Sequence, residues 1–190
     1  MKVHPLNKPL QAFVQQIMAN KVVSDAEADK LLKKAFERFA ENNSSSNMTV
    51  DDAITRANKA LHAMQLQIRS TKAPDGIIYH GLVNKAADEI SKHHGAKLLP
   101  WQIQLFKSLL SKFGESDDDG TISRSDFEDC KPNAPQVTAI ALSEFLSTLV
   151  DEHWLESTDR KNYRVGVRTY LELPEQLRAH DVHVPQIIYH

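Results

Sequence analysis

The stretch with the most suggestive chemistry in this 190-residue chain is Glu115-Ser116-Asp117-Asp118-Asp119-Gly120-Thr121-Ile122-Ser123-Arg124-Ser125-Asp126. Its pattern follows the EF-hand calcium loop: acidic residues at the first, third, fifth and last positions, glycine at the sixth, isoleucine at the eighth. Two positions fit poorly. Glu115 is one methylene longer than the aspartate that suits the tight start, and Asp126 is too short to replace easily the bidentate glutamate at the end. Such loops work in pairs, and no second one is present. An acidic surface loop entering a short helix is therefore the favoured reading, with an EF-hand-like calcium-binding protein kept as an alternative.

The nine histidines invite a search for zinc. His93 and His94 are adjacent and point to different sides of a helix, and His4, His62, His80 and His153 have no ligand at zinc spacing. His180 and His183 fall near the end of the chain. Cys130 is the one cysteine, which excludes an internal disulfide and a multi-cysteine zinc site and agrees with a reducing compartment. Its neighbours Glu128 and Asp129 raise rather than lower a thiol pKa. No G-x-S-x-G, phosphate-binding glycine loop or dinucleotide fingerprint occurs. No catalytic, cofactor-binding or metal-binding residue is expected.

The elements that would position any site are clearer. Hydrophobic residues at 41% and charged residues at 25% are those of a soluble globular protein with material for a core in each half. Met1-Lys2-Val3-His4-Pro5 lacks the apolar run of a signal peptide, and no segment reaches membrane-spanning length, so no membrane contact is expected. The organising stretch is Val137 to Leu177. Leu142, Phe145, Leu146 and Leu149 keep helical spacing. At Trp154 the period changes to two, and Trp154–Ser157 and Tyr163–Val167 flank a polar turn, the signal of a hairpin. Leu171, Leu173 and Leu177 then restart a helix. Helix followed by twisted hairpin is the second half of a winged-helix module.

The same order appears earlier. Leu10, Phe13, Val14, Ile17 and Met18 form one helical stripe. Ser24 and Glu27 make a capping box ahead of Ala28, Leu31, Leu32, Ala35, Phe36 and Phe39, in a helix ending near Ala40. Thr49 caps a third helix that buries Ile54, Ala57, Leu61 and Met64. Leu66, Ile68 and Ser70 begin a strand, Ala73-Pro74-Asp75-Gly76 turns it, and Ile77 to Val83 returns. Ala86 to His94 reads as a helical connector, and Pro100 opens a strongly apolar helix. Thr121-Ile122 is a short strand, with Ser123 or Ser125 capping a brief helix. The fold class is mainly α with small β-hairpins: tandem winged-helix domains over 1–84 and 85–180, then a tail over 181–190 with Ile187, Ile188 and Tyr189 lacking a local partner.

Winged helices often bind DNA, so charge decides the next step. The net charge of −2 gives no global pull towards nucleic acid. The third helix of the second module carries Glu144, Asp151 and Glu152 and no lysine or arginine, which repels phosphate. The first module's third helix mixes Asp51 and Asp52 with Arg56 and Lys59. The second wing, with Arg160, Lys161, Arg164 and Arg168, offers a weak contact to a DNA backbone. A DNA-binding protein acting through Arg160, Lys161 and Arg164 is thus a second alternative, and protein–protein docking fits better.

An ordered set of segments carries a family resemblance: Ile77-Ile78-Tyr79-His80-Gly81-Leu82-Val83-Asn84, Glu89-Ile90-Ser91-Lys92, Ile103-Gln104-Leu105-Phe106-Lys107, Phe145-Leu146, His153-Trp154-Leu155, Tyr163, and Gly166-Val167-Arg168-Thr169-Tyr170-Leu171-Glu172-Leu173. Over about residues 8 to 180 the chain resembles the RING-bearing non-SMC element of the SMC five/six genome-maintenance complex. The resemblance implies two winged helices followed by a zinc-binding RING domain that recruits a ubiquitin-conjugating enzyme. It also implies a MAGE-like non-SMC partner, a kleisin-like non-SMC partner, residence in the nucleus and a role in DNA repair and recombination. The C-x-x-C series expected after the last helix is absent before His190, so the simplest expectation is a chain cut ahead of its RING. Zinc and ligase activity therefore stay with that absent domain, and the scaffold half remains. Tyr170, Leu171, Ile187, Ile188 and Tyr189 are the expected partner contacts.

Overall fold

Helix starts in this protein are set by short polar side chains standing just ahead of an apolar stripe. Asn7 Oδ1 accepts from the Leu10 N–H, Thr49 Oγ1 from the Asp52 N–H and Thr138 Oγ1 from the Ala141 N–H, each closing one of the donors a helix N-terminus leaves open. Ser24 and Glu27 form the full capping box, the Glu27 N–H donating to Ser24 Oγ and the Ser24 N–H to Glu27 Oε2. Ser123 and Asp126 form another, which settles Ser123 rather than Ser125 as the cap. The computed structural model describes residues 6–39, 48–85, 98–116, 120–159 and 161–189, the last of them by backbone alone. The expected connector over 86–94 lies outside these. The fold is two winged-helix units: one of residues 1–86 with 185–190, the other of residues 87–184.

In the first unit α1 (Lys8–Asn20), α2 (Asp25–Arg38) and α3 (Val50–Leu61) pack on a sheet of β1 (Val22–Ser24), β2 (Leu66–Lys72) and β3 (Ile78–Asn84). The core takes Phe13 and Ile17 from α1, Ala28 and Leu32 from α2, Ala53, Ile54 and Ala57 from α3, and Ile68 from β2. Each large side chain so buried contributes roughly 1.5–3 kcal/mol. Several details depart from expectation. β1 is an additional strand, paired with β3 from Val22↔Gly81 to Ser24↔Tyr79, and α2 stops at Arg38. Met64 is 60% exposed, because α3 tightens into a 3-10 turn over His62–Met64 that rotates it off the stripe.

The tail also differs. Residues Ile187–Tyr189 form β7, antiparallel to β2 with Thr71↔Ile187, Ser70↔Ile188 and Arg69↔Tyr189 in register. The sheet order is therefore β1-β3-β2-β7. Ile187 is buried, and Thr71 Oγ1 donates to the Gln186 carbonyl. The physical reason is the open edge of β2, whose unpaired backbone groups favour an added strand.

In the second unit α4 (Pro100–Glu115) lays Trp101, Leu105, Phe106, Leu109, Leu110 and Phe113 into the core. β4 (Thr121–Ser123), α5 (Arg124–Asp129) and α6 (Ala139–Asp151) lead to the hairpin of β5 (Leu155–Ser157) and β6 (Asn162–Val165), in sheet order β4-β6-β5. Trp101 meets Phe145, and Phe106 meets Trp154, both edge-to-face with ring centroids 5.6 and 5.9 Å apart, a geometry favoured by the ring quadrupoles. The closing helix is two short ones, α7 (Val167–Glu172) and α8 (Pro174–Ala179). Pro174 has no N–H to continue the ladder and pushes Leu173 out of helical geometry, at φ −122°. Val182 and Val184 still pack on this core.

The hairpins are anchored to the preceding helices by buried hydrogen bonds. Asn58 on α3 donates from Nδ2 to the Ile68 carbonyl (2.9 Å) and accepts from the Ile68 N–H (2.7 Å). Replacing it by leucine removes both partners and is expected to cost about 3 kcal/mol, read as a lower urea midpoint by circular dichroism; an unchanged midpoint would contradict the clamp. Asp126 offers a pH test. Hydrogen bonds from the Ser123 side chain, then its backbone, hold the carboxyl below the ordinary aspartate value of 3.8. Its ionised form therefore stabilises the fold above that value, and the contribution is lost as pH falls through the lowered one. Asp126→Ala should cost about 1 kcal/mol or less at neutral pH, and its gap to the parent protein should narrow in acid denaturation series below pH 3.8.

Candidate functional site

The second wing is where the sequence places its DNA-contacting cations. Asp159 organises the turn: its carboxylate accepts from the N–H groups of Lys161 (2.7 Å) and Asn162 (2.8 Å) and from Asn162 Nδ2 (2.9 Å). The first of these bonds is the main reason its carboxyl lies below the ordinary range. Arg164 is held by Glu156 through two parallel bonds, Nε to Oε2 at 2.9 Å and Nη2 to Oε1 at 2.6 Å. That fork leaves little charge for a phosphate. Lys161 is exposed, and Arg160 lies outside the described residues. Arg168 stacks on the Trp154 ring at 4.2 Å and bonds Glu152 and Glu172, so it braces the unit. The wing therefore presents one described free cation beside an ionised aspartate.

The acidic loop gives no ion site among the described residues. Asp126, its last residue, has its carboxylate occupied by Ser123 N–H and Oγ, while Glu115 lies 3.7 Å from Lys112 at the exposed end of α4. Asp117, Asp118 and Asp119 lie outside the described residues. No group of three or more His, Cys, Asp or Glu converges among those described. Cys130 is half-buried, and burial is the first cause that pushes its thiol pKa up, ahead of the carboxylates beside it.

One constellation escaped the sequence reading. Ser70 Oγ lies 2.7 Å from His80 Nδ1, and His80 Nε2 lies 3.1 Å from Asp25 Oδ1. A carboxylate can only accept, so Nε2 carries a proton, and in the neutral ring Nδ1 accepts from the Ser70 hydroxyl. The residue types are those of a hydrolytic triad. Their burial is not: Ser70 is 0% and His80 1% exposed, so no reactant meets the hydroxyl. The trio instead ties β2, β3 and the first residue of α2 together. Sequence spacing hides it because Asp25 and His80 are 55 residues apart.

The expected partner contacts are placed differently from the reading of leftover apolar residues. Tyr170 and Leu171 are 7% and 1% exposed in the second unit, where burial also raises the Tyr170 hydroxyl pKa. Ile187 is buried and Ile188 half-buried in the first unit, and Tyr189 is described only as a β7 backbone. Tyr170, Leu171 and Ile187 thus fill the protein's own cores. Among the described residues, the large apolar side chains left at the surface are others: Met18, Met64, Ile77 and Ile78 in the first unit, Leu99 and Ile140 in the second, with Ile140 72% exposed. Ile140 was legible as the residue out of phase with Leu142, Phe145, Leu146 and Leu149, the buried stripe of α6.

No helix of the described residues is long and apolar enough to cross a membrane. No curated protein matches the chain. Seven chains of solved structures do, among them one from an "Nse1-Nse3-Nse4 complex", with a TM-score of 0.78 and 20% identity over 94% of this chain and 78% of that one. At that identity the likeness is one of fold. The family model described as "Nse1 non-SMC component of SMC5-6 complex" matches residues 10–173, which takes in the hairpin of both units and their helices from Leu10 to the end of α7, short of α8. The chain belongs to the family of Nse1 non-SMC components of the SMC5-6 complex.

Proposed function

We propose that this chain is the scaffold half of a RING-type ubiquitin-ligase subunit of the SMC5-6 DNA-repair complex, docking a MAGE-like and a kleisin-like subunit in the nucleus. The observation that carries the reading is the family match across residues 10–173. The solved relative belongs to a three-component assembly, Nse1-Nse3-Nse4, and shares the fold over 94% of this chain. The absence of a reactive centre among the described side chains suits a docking role: the buried Asn58, Ser70, His80 and Thr169 side chains are bonded within their own units. In this reading the winged helices need no metal, and zinc belongs with the RING.

Docking then has to use side chains that are not already in a core. Ile140 and Leu99, at 72% and 53% exposure, are the large apolar anchors available among the described residues of the second unit. Titrating a MAGE-like subunit into the chain in a calorimeter should give saturable heat, weakened by Ile140→Asp; no heat at about 100 μM partner would reject the reading, since a specific interface is tighter than that. Leu171→Ala should instead lower the melting temperature, as a core truncation costing about 3 kcal/mol, and so should removal of residues 185–190, which bares the edge of β2. Chelation with EDTA, or millimolar calcium, is expected to leave the melting temperature unchanged; a shift of several degrees would restore the acidic loop as an ion site.

A further inference from the structure

The charge of the chain is divided unequally between its units. Residues 1–86 and 185–190 hold 12 Lys and Arg against 8 Asp and Glu, a net +4, whereas residues 87–184 hold 11 against 17, a net −6. The overall −2 is their sum and conceals both. A net charge by itself is no site, so the placement of the cations matters. On α3, Arg56 and Lys59 stand one turn apart on the exposed side, opposite the buried Ile54, Ala57 and Leu61. Lys72 is exposed near the tip of the β2–β3 hairpin, in register with Ile78. Lys85 is exposed at the hairpin's base, where its N–H donates to the Gln65 carbonyl just after the helical turn that ends α3. None of the four enters an ion pair with a described residue.

The acidic groups nearby are accounted for. Asp52 accepts from Thr49 Oγ1 in the first turn of α3, and Asp75 accepts from the Ile77 N–H and the Tyr79 hydroxyl within the hairpin turn. Asp51 completes the acidic first turn, so the cations hold the C-terminal half of the helix and both ends of the hairpin. These are the two elements with which helix-led modules meet a duplex, the helix against the groove and the wing against the backbone. The second unit is the internal control. Its corresponding helix, α6, exposes Glu144 and Asp151 and has no lysine or arginine, and Glu156 clamps Arg164 in its wing.

We infer that the first winged-helix unit binds the phosphate backbone of duplex DNA through Arg56, Lys59, Lys72 and Lys85, a contact made by neither the second wing nor the protein-docking surface. The contact is independent of sequence, because phosphates carry no base information. B-form DNA is the fitting duplex, since the deep, narrow major groove of A-form RNA does not admit a helix. Four phosphate contacts predict an affinity that falls about 10²-fold between 50 and 200 mM salt.

The test is fluorescence anisotropy of a labelled 20-base-pair DNA duplex with the whole chain, begun at low salt (about 20 mM, where phosphate contacts are strongest). Arg56→Glu with Lys59→Glu should weaken binding at least 10-fold and reduce the salt slope by about two. Lys72→Glu with Lys85→Glu should do the same, and Lys161→Glu in the second wing should leave affinity within twofold. All of these side chains are exposed, and a thermal melt matching the parent shows that each variant is folded. The inference is overturned by no binding at low salt, by undiminished binding in both folded double variants, by an equal loss in Lys161→Glu, or by tighter binding to an RNA duplex of the same length. Failure here would leave the docking of a MAGE-like subunit, measured by calorimetry without DNA, untouched.

Discussion

Wherever a buried helix gives way directly to a strand, its last carbonyls and the strand's first backbone groups lose their regular partners in a place water does not reach. Both units meet this constraint at the same point, between the third helix and the hairpin. In each, the chain reverses through a left-handed residue that is not glycine, Gln65 at φ 57° and His153 at φ 62°. Each such residue costs on the order of 1 kcal/mol and persists only because its surroundings hold it. In the first unit the holding group is the Asn58 side chain, bonded to both backbone groups of Ile68. In the second it is the segment after the hairpin: Gly166 N–H and Thr169 Oγ1 both donate to the Trp154 carbonyl. Gly166 must be a glycine for a reason other than its φ, since an added Cβ would lie 2.2 Å from the His153 carbonyl oxygen.

That solution directs most of the polar side chains that look reactive in one dimension. His80 with Ser70 and Asp25 connects two strands to a helix start; Arg168 with Trp154, Glu152 and Glu172 connects α7 to the end of α6. Buried polar groups of this kind are stabilising only when every member is paired, and they leave nothing for a substrate. Function moves to the outside, to apolar residues off the buried stripes and to cations that enter no ion pair with a described residue. The unequal charges of the two units, +4 and −6, then give two otherwise similar architectures different surfaces.

Much of this was legible in residue order. Local signals act over three or four positions, and they held: the caps at Ser24, Thr49 and Ser123, Pro100 at the start of α4, and the change of period at Trp154 all correspond to what forms. The apolar stripe of α4 is buried in full. The mostly helical, twice-repeated winged helix follows from those signals because period and capping are properties of adjacent residues. The division of charge was equally readable, once the units were known.

Other features depend on residues far apart in the chain. The closing strand at Ile187–Tyr189 looks like a tail until the open edge of β2, more than a hundred positions earlier, is placed beside it. Tyr170 and Leu171 look like spare apolar surface because their partners come from other elements. Arg164 reads as a free cation until the hairpin register sets Glu156 opposite it. Sequence alone determined which segments become helix or strand and which face of each is apolar, since those preferences are local. Only the tertiary structure decided which charges are neutralised and which apolar groups are covered, because both depend on the partners that folding brings within a few ångströms.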